Sequence, residues 1–322
     1  MHFVTVKNIL TGAGSNMNIY RGCTHGCVYC DTRSKCYGFT HALEDVEVKS
    51  NAVELLDDAL KRKRQKCMVG TGSMSDPYQP VETELGFTRR CLQVINNRNC
   101  GATMITKSDR VLRDLDLLQE INGKTKCVVQ ITLTCTDETL SKAIEPNVCT
   151  TQERIQVLET LKHHRIPTVV WLSPVIPFIT DTEENIKNIL DACVANDVRG
   201  IVCFGMGMTL REGNREYFYR FLDRFDPALK QRYIDTYANS YQILSPYNAR
   251  LMNLYDETCN KYGIIYGPER IFAYLKEFPQ KEKQLSPVLI PAFLGFAAAF
   301  LVFAAALCES NFEKTTFFES KK

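Results

Sequence analysis

Between Gly22 and Cys30 the chain reads Gly-Cys-Thr-His-Gly-Cys-Val-Tyr-Cys, which sets Cys23, Cys27 and Cys30 in a Cys-x3-Cys-x2-Cys array. Thiolates are the ligands that iron–sulfur clusters take, and a four-iron cluster ordinarily has four of them. Three leave one iron open, and an open iron can bind a small molecule and pass it an electron directly. A closed zinc tetrahedron is one alternative, but it wants four ligands, usually as two separated pairs. Cys36 or His25 offers a fourth donor, yet no second pair stands at zinc-knuckle spacing. A thioredoxin-like redox pair at Cys27 and Cys30 is the other alternative, and it belongs at a helix start in a different βαβ setting. Spacing and chain position together favour the cluster.

Such an array has to be held in place, and the rest of the chain has the pattern of a scaffold. Short apolar runs rich in β-branched residues alternate with longer amphipathic stretches, as in βα units around a parallel sheet. The spacing predicts strands over Met17 to Tyr20, Cys67 to Thr71, Ala102 to Thr106, Cys127 to Thr132, Thr168 to Leu172 and Gly200 to Phe204. Between them it predicts helices near Ala52 to Lys63, Leu85 to Asn96, Val111 to Ile121, Thr151 to His164 and Thr182 to Asn196. Six repeats with no GxGxxG after the first strand favour a full or partial barrel over a dinucleotide-binding sheet. Barrel chemistry sits at the carboxyl ends of the strands. There the sequence carries the cysteine array, then Gly72-Ser73-Met74-Ser75-Asp76-Pro77-Tyr78, Thr106-Lys107-Ser108-Asp109, Ser173-Pro174 and Gly205-Met206-Gly207-Met208-Thr209.

The 322 residues, 45% of them hydrophobic, are enough for a sizeable core, and a net charge of +2 leaves no global footprint of a nucleic-acid binder. The basic run Lys61 to Lys66 ends a predicted helix, where a solvated face is the ordinary reading. Fourteen cysteines without a basic-then-apolar leader point to a reducing, cytoplasmic setting in which close-set thiols bind metal. Cys67, Cys91, Cys127, Cys193 and Cys203 lie in apolar stretches and are expected in the core as small hydrophobes. The expected organisation is a partial barrel over 1–226, a helical capping region over 227–280 and a tail over 281–322. The tail contains the apolar run 287–307, whose length suits a membrane anchor although it is rich in alanine and begins with two prolines.

The cysteine array, with Asn18-Ile19-Tyr20-Arg21 before it, Gly72 to Glu82, Thr106-Lys107-Ser108, Glu145-Pro146 with Arg154, Ser173 to Pro177 and Gly205 to Asn214, resembles the radical S-adenosylmethionine (radical SAM) proteins. The resemblance is closest to the spore photoproduct lyase-like group and runs over about residues 15 to 265. It implies a partial (β/α)6 TIM-like barrel with a helical C-terminal extension, a 4Fe-4S cluster on Cys23, Cys27 and Cys30, and S-adenosylmethionine as co-substrate. It further implies a reductant such as flavodoxin or ferredoxin, and a 5'-deoxyadenosyl radical that abstracts hydrogen from a substrate. Tyr29 falls where the family packs an aromatic ring near the adenine. Gly72, Ser73 and Ser75 are expected to hydrogen-bond the methionyl group, Lys107 to neutralise its carboxylate, and Arg154 either to reach the cofactor or to pair with Glu145.

The likeness has gaps. A spore photoproduct lyase returns hydrogen through a tyrosine and cysteine relay, one member of which comes directly after the third cluster cysteine. Asp31 stands there in this chain, and Ser73, Met74 and Ser75 stand where a relay cysteine is expected. Repair of the thymine photoproduct is therefore not expected, and no catalytic residue beyond the cofactor set is assigned. The rival expectation is a zinc-bound, non-catalytic nucleic-acid-binding module that has kept the barrel.

Overall fold

A computed structural model describes residues 1–11 and 15–279. A seven-stranded parallel sheet runs in chain order across its width: Asn16–Met17, Met68–Thr71, Gly101–Thr106, Cys127–Thr132, Thr168–Trp171, Gly200–Val202 and Ile265–Tyr266. The α/β partial barrel expected from the alternating pattern is the architecture found, and five of the six predicted strands match within two residues. The first predicted strand divides. Asn16–Met17 joins the barrel, while Tyr20–Arg21 turns away to pair with Glu47–Lys49 in a separate three-stranded sheet that also contains His2–Val4. Neither His2–Val4 nor Glu47–Lys49 is long enough to show a period of two in the sequence.

The connecting helices have legible local causes. Thr150 caps the helix Thr151–His163 by accepting from the Glu153 amide, while the Glu153 side chain accepts from the Thr150 amide. Asp137 caps Glu138–Ile144, and Thr182 caps Glu183–Ala195. The core fills the space between the sheet and the helices around it, and Val129, Ile131, Val170 and Ile201 share one buried cluster with Leu92, Leu118, Leu158 and Ile186. Cys91, Cys127, Cys193 and Cys203 are buried as expected, while Cys67 is only half-buried. Lys61 to Lys66 are exposed, as the solvated helix end predicts.

After residue 214 the chain is helical as expected, but it also returns two strands that the pattern did not reveal. Gln242–Leu244 pairs antiparallel with Gly207–Thr209, and Ile265–Tyr266 pairs with Gly200–Val202 as the sheet's seventh strand. Phe218, Leu222 and Tyr233, from the helices after residue 214, form a second buried cluster with Cys27, Val28 and Tyr29. The cysteine loop is thus packed from below by this region. Among the described residues no helix is long and apolar enough to cross a membrane. The apolar run 287–307 lies outside the described residues.

Ile131 is fully buried at the centre of the sheet. Ile131→Ala is expected to cost about 2–5 kcal/mol by loss of transfer energy and a residual cavity, read as a lowered urea midpoint without a change of slope.

Candidate functional site

The cysteine loop leaves the Tyr20–Arg21 strand at Gly22, which holds φ +98°; a β-carbon there would stand 2.5 Å from the Leu43 carbonyl oxygen. Only glycine avoids that collision. From there the loop is tied down backbone to backbone. The Cys23 amide donates to Leu43 O at 2.8 Å, and Val28 N donates to Ile144 O at 3.0 Å. Fully buried Gln79 uses both ends of its amide, donating to Gly22 O at 3.2 Å and accepting from Thr24 N at 3.3 Å. Asn147 donates to Thr24 O at 2.9 Å through its side chain and to His25 O at 3.2 Å through its backbone. Gln79 and Asn147 carry no signal in the sequence, because a side-chain amide spent on distant backbone leaves no local motif.

Three features suit this loop to a cluster. The donor set is thiol, and burial with the Asp76 charge pushes the Cys23 thiol up to about 12, while burial also raises Cys27. Both thiols are therefore favoured in the protonated form, and a metal held there would have to displace those protons. Buried Nε2 of His25 and Oγ1 of Thr24 find no hydrogen-bond partner among the described residues. Finally, the three sulfurs are not gathered as around one ion, since 2.3 Å bonds in a tetrahedron set sulfurs about 3.8 Å apart. Among the described residues the one trio of ligand-type side chains within 4.8 Å is His2, His41 and Glu47.

Beside the loop lies a cavity of about 500 Å³ at the carboxyl ends of the strands, where barrel chemistry is placed. Tyr29, Cys30, Gly72, Ser73 and Lys107 line it together. Gly72 has φ +96°, and a β-carbon would meet Ile105 O at 2.2 Å, so the backbone of the second strand can turn into the cavity only there. Gly205, Gly207, Met208 and Thr209 line the far side. So do Trp171, Phe204 and Tyr241, which no motif in the sequence marks. The sole tryptophan, at a strand's carboxyl end, was a usable signal; Tyr241 lies in a segment with no strand pattern.

Ser75 and Arg154 do not line this cavity. Ser75 is buried behind it, where its hydroxyl accepts from Gln79 at 3.3 Å. Arg154 is wholly buried and donates to Thr132 O at 2.9 Å and Glu145 Oε2 at 2.6 Å. The Tyr29 hydroxyl donates to the other oxygen of Glu145. Burial works against the Glu145 charge, but Arg154, Lys107 and the Tyr29 hydrogen bond outweigh it and hold the carboxyl below the ordinary range. Asp76 and Tyr78, in the polar stretch after the second strand, are structural. Asp76 accepts from Thr106 Oγ1 and Lys107 N, each at 2.7 Å, while fully buried Tyr78 donates to Asp114 at 3.2 Å. Asp76 therefore fixes where Lys107 begins. Burial disfavours the Lys107 ammonium, yet the carboxylates of Glu145 and Asp76 raise its pKa and keep it charged, 5.9 Å from the Tyr29 ring centre.

The family model described as the radical SAM superfamily matches residues 17–193. An uncharacterised protein of Methanocaldococcus jannaschii is 35% identical over 176 residues, 54% of this chain and 65% of that one. An uncharacterised protein of Mycobacterium tuberculosis is 27% identical over 86% of this chain and 81% of its own length. Among solved structures, a spore photoproduct lyase variant superposes with TM-score 0.61 at 12% identity, covering 82% of this chain and 81% of that one. That likeness is one of fold.

Removing one member of a buried ion pair strands the other. Arg154→Met is expected to lose about 3–5 kcal/mol, and Glu145→Gln in that background to recover part of it, both measured by chemical unfolding. Because the folded pKa of Glu145 is depressed, its stabilisation is complete above the ordinary carboxylate pKa and fades as pH falls through the depressed value. The wild-type Tm should thus fall below roughly pH 4 more steeply than that of Glu145→Gln.

Proposed function

The chain belongs to the radical SAM superfamily of enzymes, and from that premise we propose that Cys23, Cys27 and Cys30 hold a 4Fe-4S cluster beside the 500 Å³ cavity, in which S-adenosylmethionine is bound. The observation that carries this reading is the meeting of Cys30, Tyr29, Gly72, Ser73 and Lys107 on one cavity wall. When bound and reduced, the cluster supplies the electron that splits the carbon–sulfur bond of S-adenosylmethionine, giving methionine and a 5'-deoxyadenosyl radical that takes hydrogen from a substrate.

The chain's own residues do the binding and positioning. Lys107 remains a cation in a partly buried place and faces the carboxylate of the methionyl group, a charge-assisted contact. The open backbone at Gly72 and the hydroxyl of Ser73 offer hydrogen bonds to the same end. Tyr29, its hydroxyl committed to Glu145, keeps its ring fixed against the adenine. Ser75 and Arg154 hold these groups from behind. A flavodoxin- or ferredoxin-type carrier supplies the electron.

Substrate enters past Trp171, Phe204 and Tyr241. Phe204 and Tyr241 stay 48% and 49% exposed, and Trp171 lies 5.9 Å from Phe204, ring centre to ring centre. Such walls favour a flat unsaturated group, a nucleobase included. The zinc-module alternative has the sulfur spacing against it.

Protein purified and reconstituted without oxygen should hold about four irons per chain and release 5'-deoxyadenosine on reduction with S-adenosylmethionine. Cys27→Ala should lose both; zinc uptake without iron in the wild type would overturn the reading. Lys107→Gln should keep its iron while its KM for S-adenosylmethionine rises roughly tenfold or more, as loss of a charged hydrogen bond requires. An unchanged KM would remove Lys107 from the carboxylate.

A further inference from the structure

Away from the cavity, the three-stranded sheet at the start of the chain gathers a second set of ligand-type side chains. His2 on the His2–Val4 strand and Glu47 on the Glu47–Lys49 strand are register partners across a parallel pair. His41 reaches them from the loop before Glu47–Lys49. One ligand atom from each of the three lies within 4.8 Å of the other two. We propose that His2, His41 and Glu47 form a binding site for one divalent first-row transition ion of the zinc class, separate from the cysteine loop.

Proximity alone would not carry this, since polar side chains often meet at a surface. What distinguishes the trio is the way its rings are held. His2 Nδ1 lies 3.1 Å from Asp45 Oδ2, and His41 Nδ1 lies 2.9 Å from the Ala42 carbonyl oxygen. Each ring thus has its Nδ1–H tied to an oxygen, which directs Nε2 to act as the ligand; this is the outer arrangement that metal-bound histidines use. His41 Nε2 already points at Glu47 Oε1, 2.8 Å away. The ion takes the place of the proton on that nitrogen, and the proton leaves to solvent.

Packing restrains the set further. The His41 ring is edge-on to His2 at 5.2 Å and to Phe39 at 5.7 Å, and the His41 and Glu47 side chains keep only 20% and 15% exposure. Arg21 Nη1 holds Glu47 Oε1 at 2.6 Å, which fixes the carboxylate beside the two rings. Two imidazoles and one carboxylate suit zinc and its neighbours and are a poor set for magnesium or calcium, which want oxygen. Three protein ligands leave a position for water. The Glu47–Lys49 strand also pairs with Tyr20–Arg21, from which the cysteine loop departs, so an ion here clamps the sheet at the root of that loop.

The test is zinc binding by equilibrium dialysis against the full chain carrying Cys23→Ser, Cys27→Ser and Cys30→Ser, so that those thiols cannot compete. One zinc per chain is expected. His41→Ala in the same background should weaken it more than about tenfold, and Asp45→Asn about tenfold or more through loss of the ring's support. Thermal unfolding without zinc, compared across the variants, separates a lost ligand from a lost fold. Zinc uptake equal in His41→Ala and its parent, both folded, would overturn the site, as would no uptake by a folded parent.

Discussion

A single carboxylate, Glu145, sits fully buried under the cysteine loop, and the arrangement of the site derives from keeping it charged there. An isolated buried carboxylate would cost several kcal/mol. Here Arg154 pairs with it, Tyr29 donates to it and Lys107 adds a second positive charge nearby. Those three partners come from three separate βα units, so satisfying one charge fixes the relative placement of the loops after the first, third and fourth strands. Arg154 also donates to Thr132 O, at the end of the Cys127–Thr132 strand, which fastens the carboxylate to the sheet itself. Replacing the pair with apolar residues would be no great loss in stability; what it would lose is the aim of Tyr29 and the charge balance around Lys107.

Asp76 has the same role on the other side of the loop. It accepts from the Thr106 hydroxyl, the Lys107 amide and the Tyr78 amide, and its second oxygen lies 3.5 Å from His25 Nδ1. The loops after the second and third strands and the cysteine loop therefore converge on two carboxylates, with Gln79 bracing the backbone between them. Groups held by such networks have little freedom to reorient.

Most of the barrel was legible because each strand is a short β-branched run between turn residues, and several helices carry a capping signal such as Thr150 with Glu153. The cavity wall of Tyr29, Gly72, Ser73 and Lys107 was legible for a related reason: parallel βα topology puts the residues after every strand on one rim. Legibility stopped where the cause is nonlocal. Arg154 reads as an available cation until the structure shows its donors spent on Glu145 and Thr132. The strands Gln242–Leu244 and Ile265–Tyr266 are too short for a period and exist because an edge of a neighbouring strand is there to pair with. Trp171, Phe204 and Tyr241 become a single wall only when three distant segments fold together.

The surroundings of the cysteine loop favour protonated thiols at Cys23 and Cys27. Burial raises Cys23 and Cys27, and the negative groups Asp76 and Glu145 push in the same direction, while Lys107 pulls Cys27 the other way. Arg154 and Lys107 only balance the carboxylates of Glu145 and Asp76, so no further cation is left to favour a thiolate in this poorly solvated loop. A metal held by these thiols would have to displace their protons, which would tie its affinity to pH.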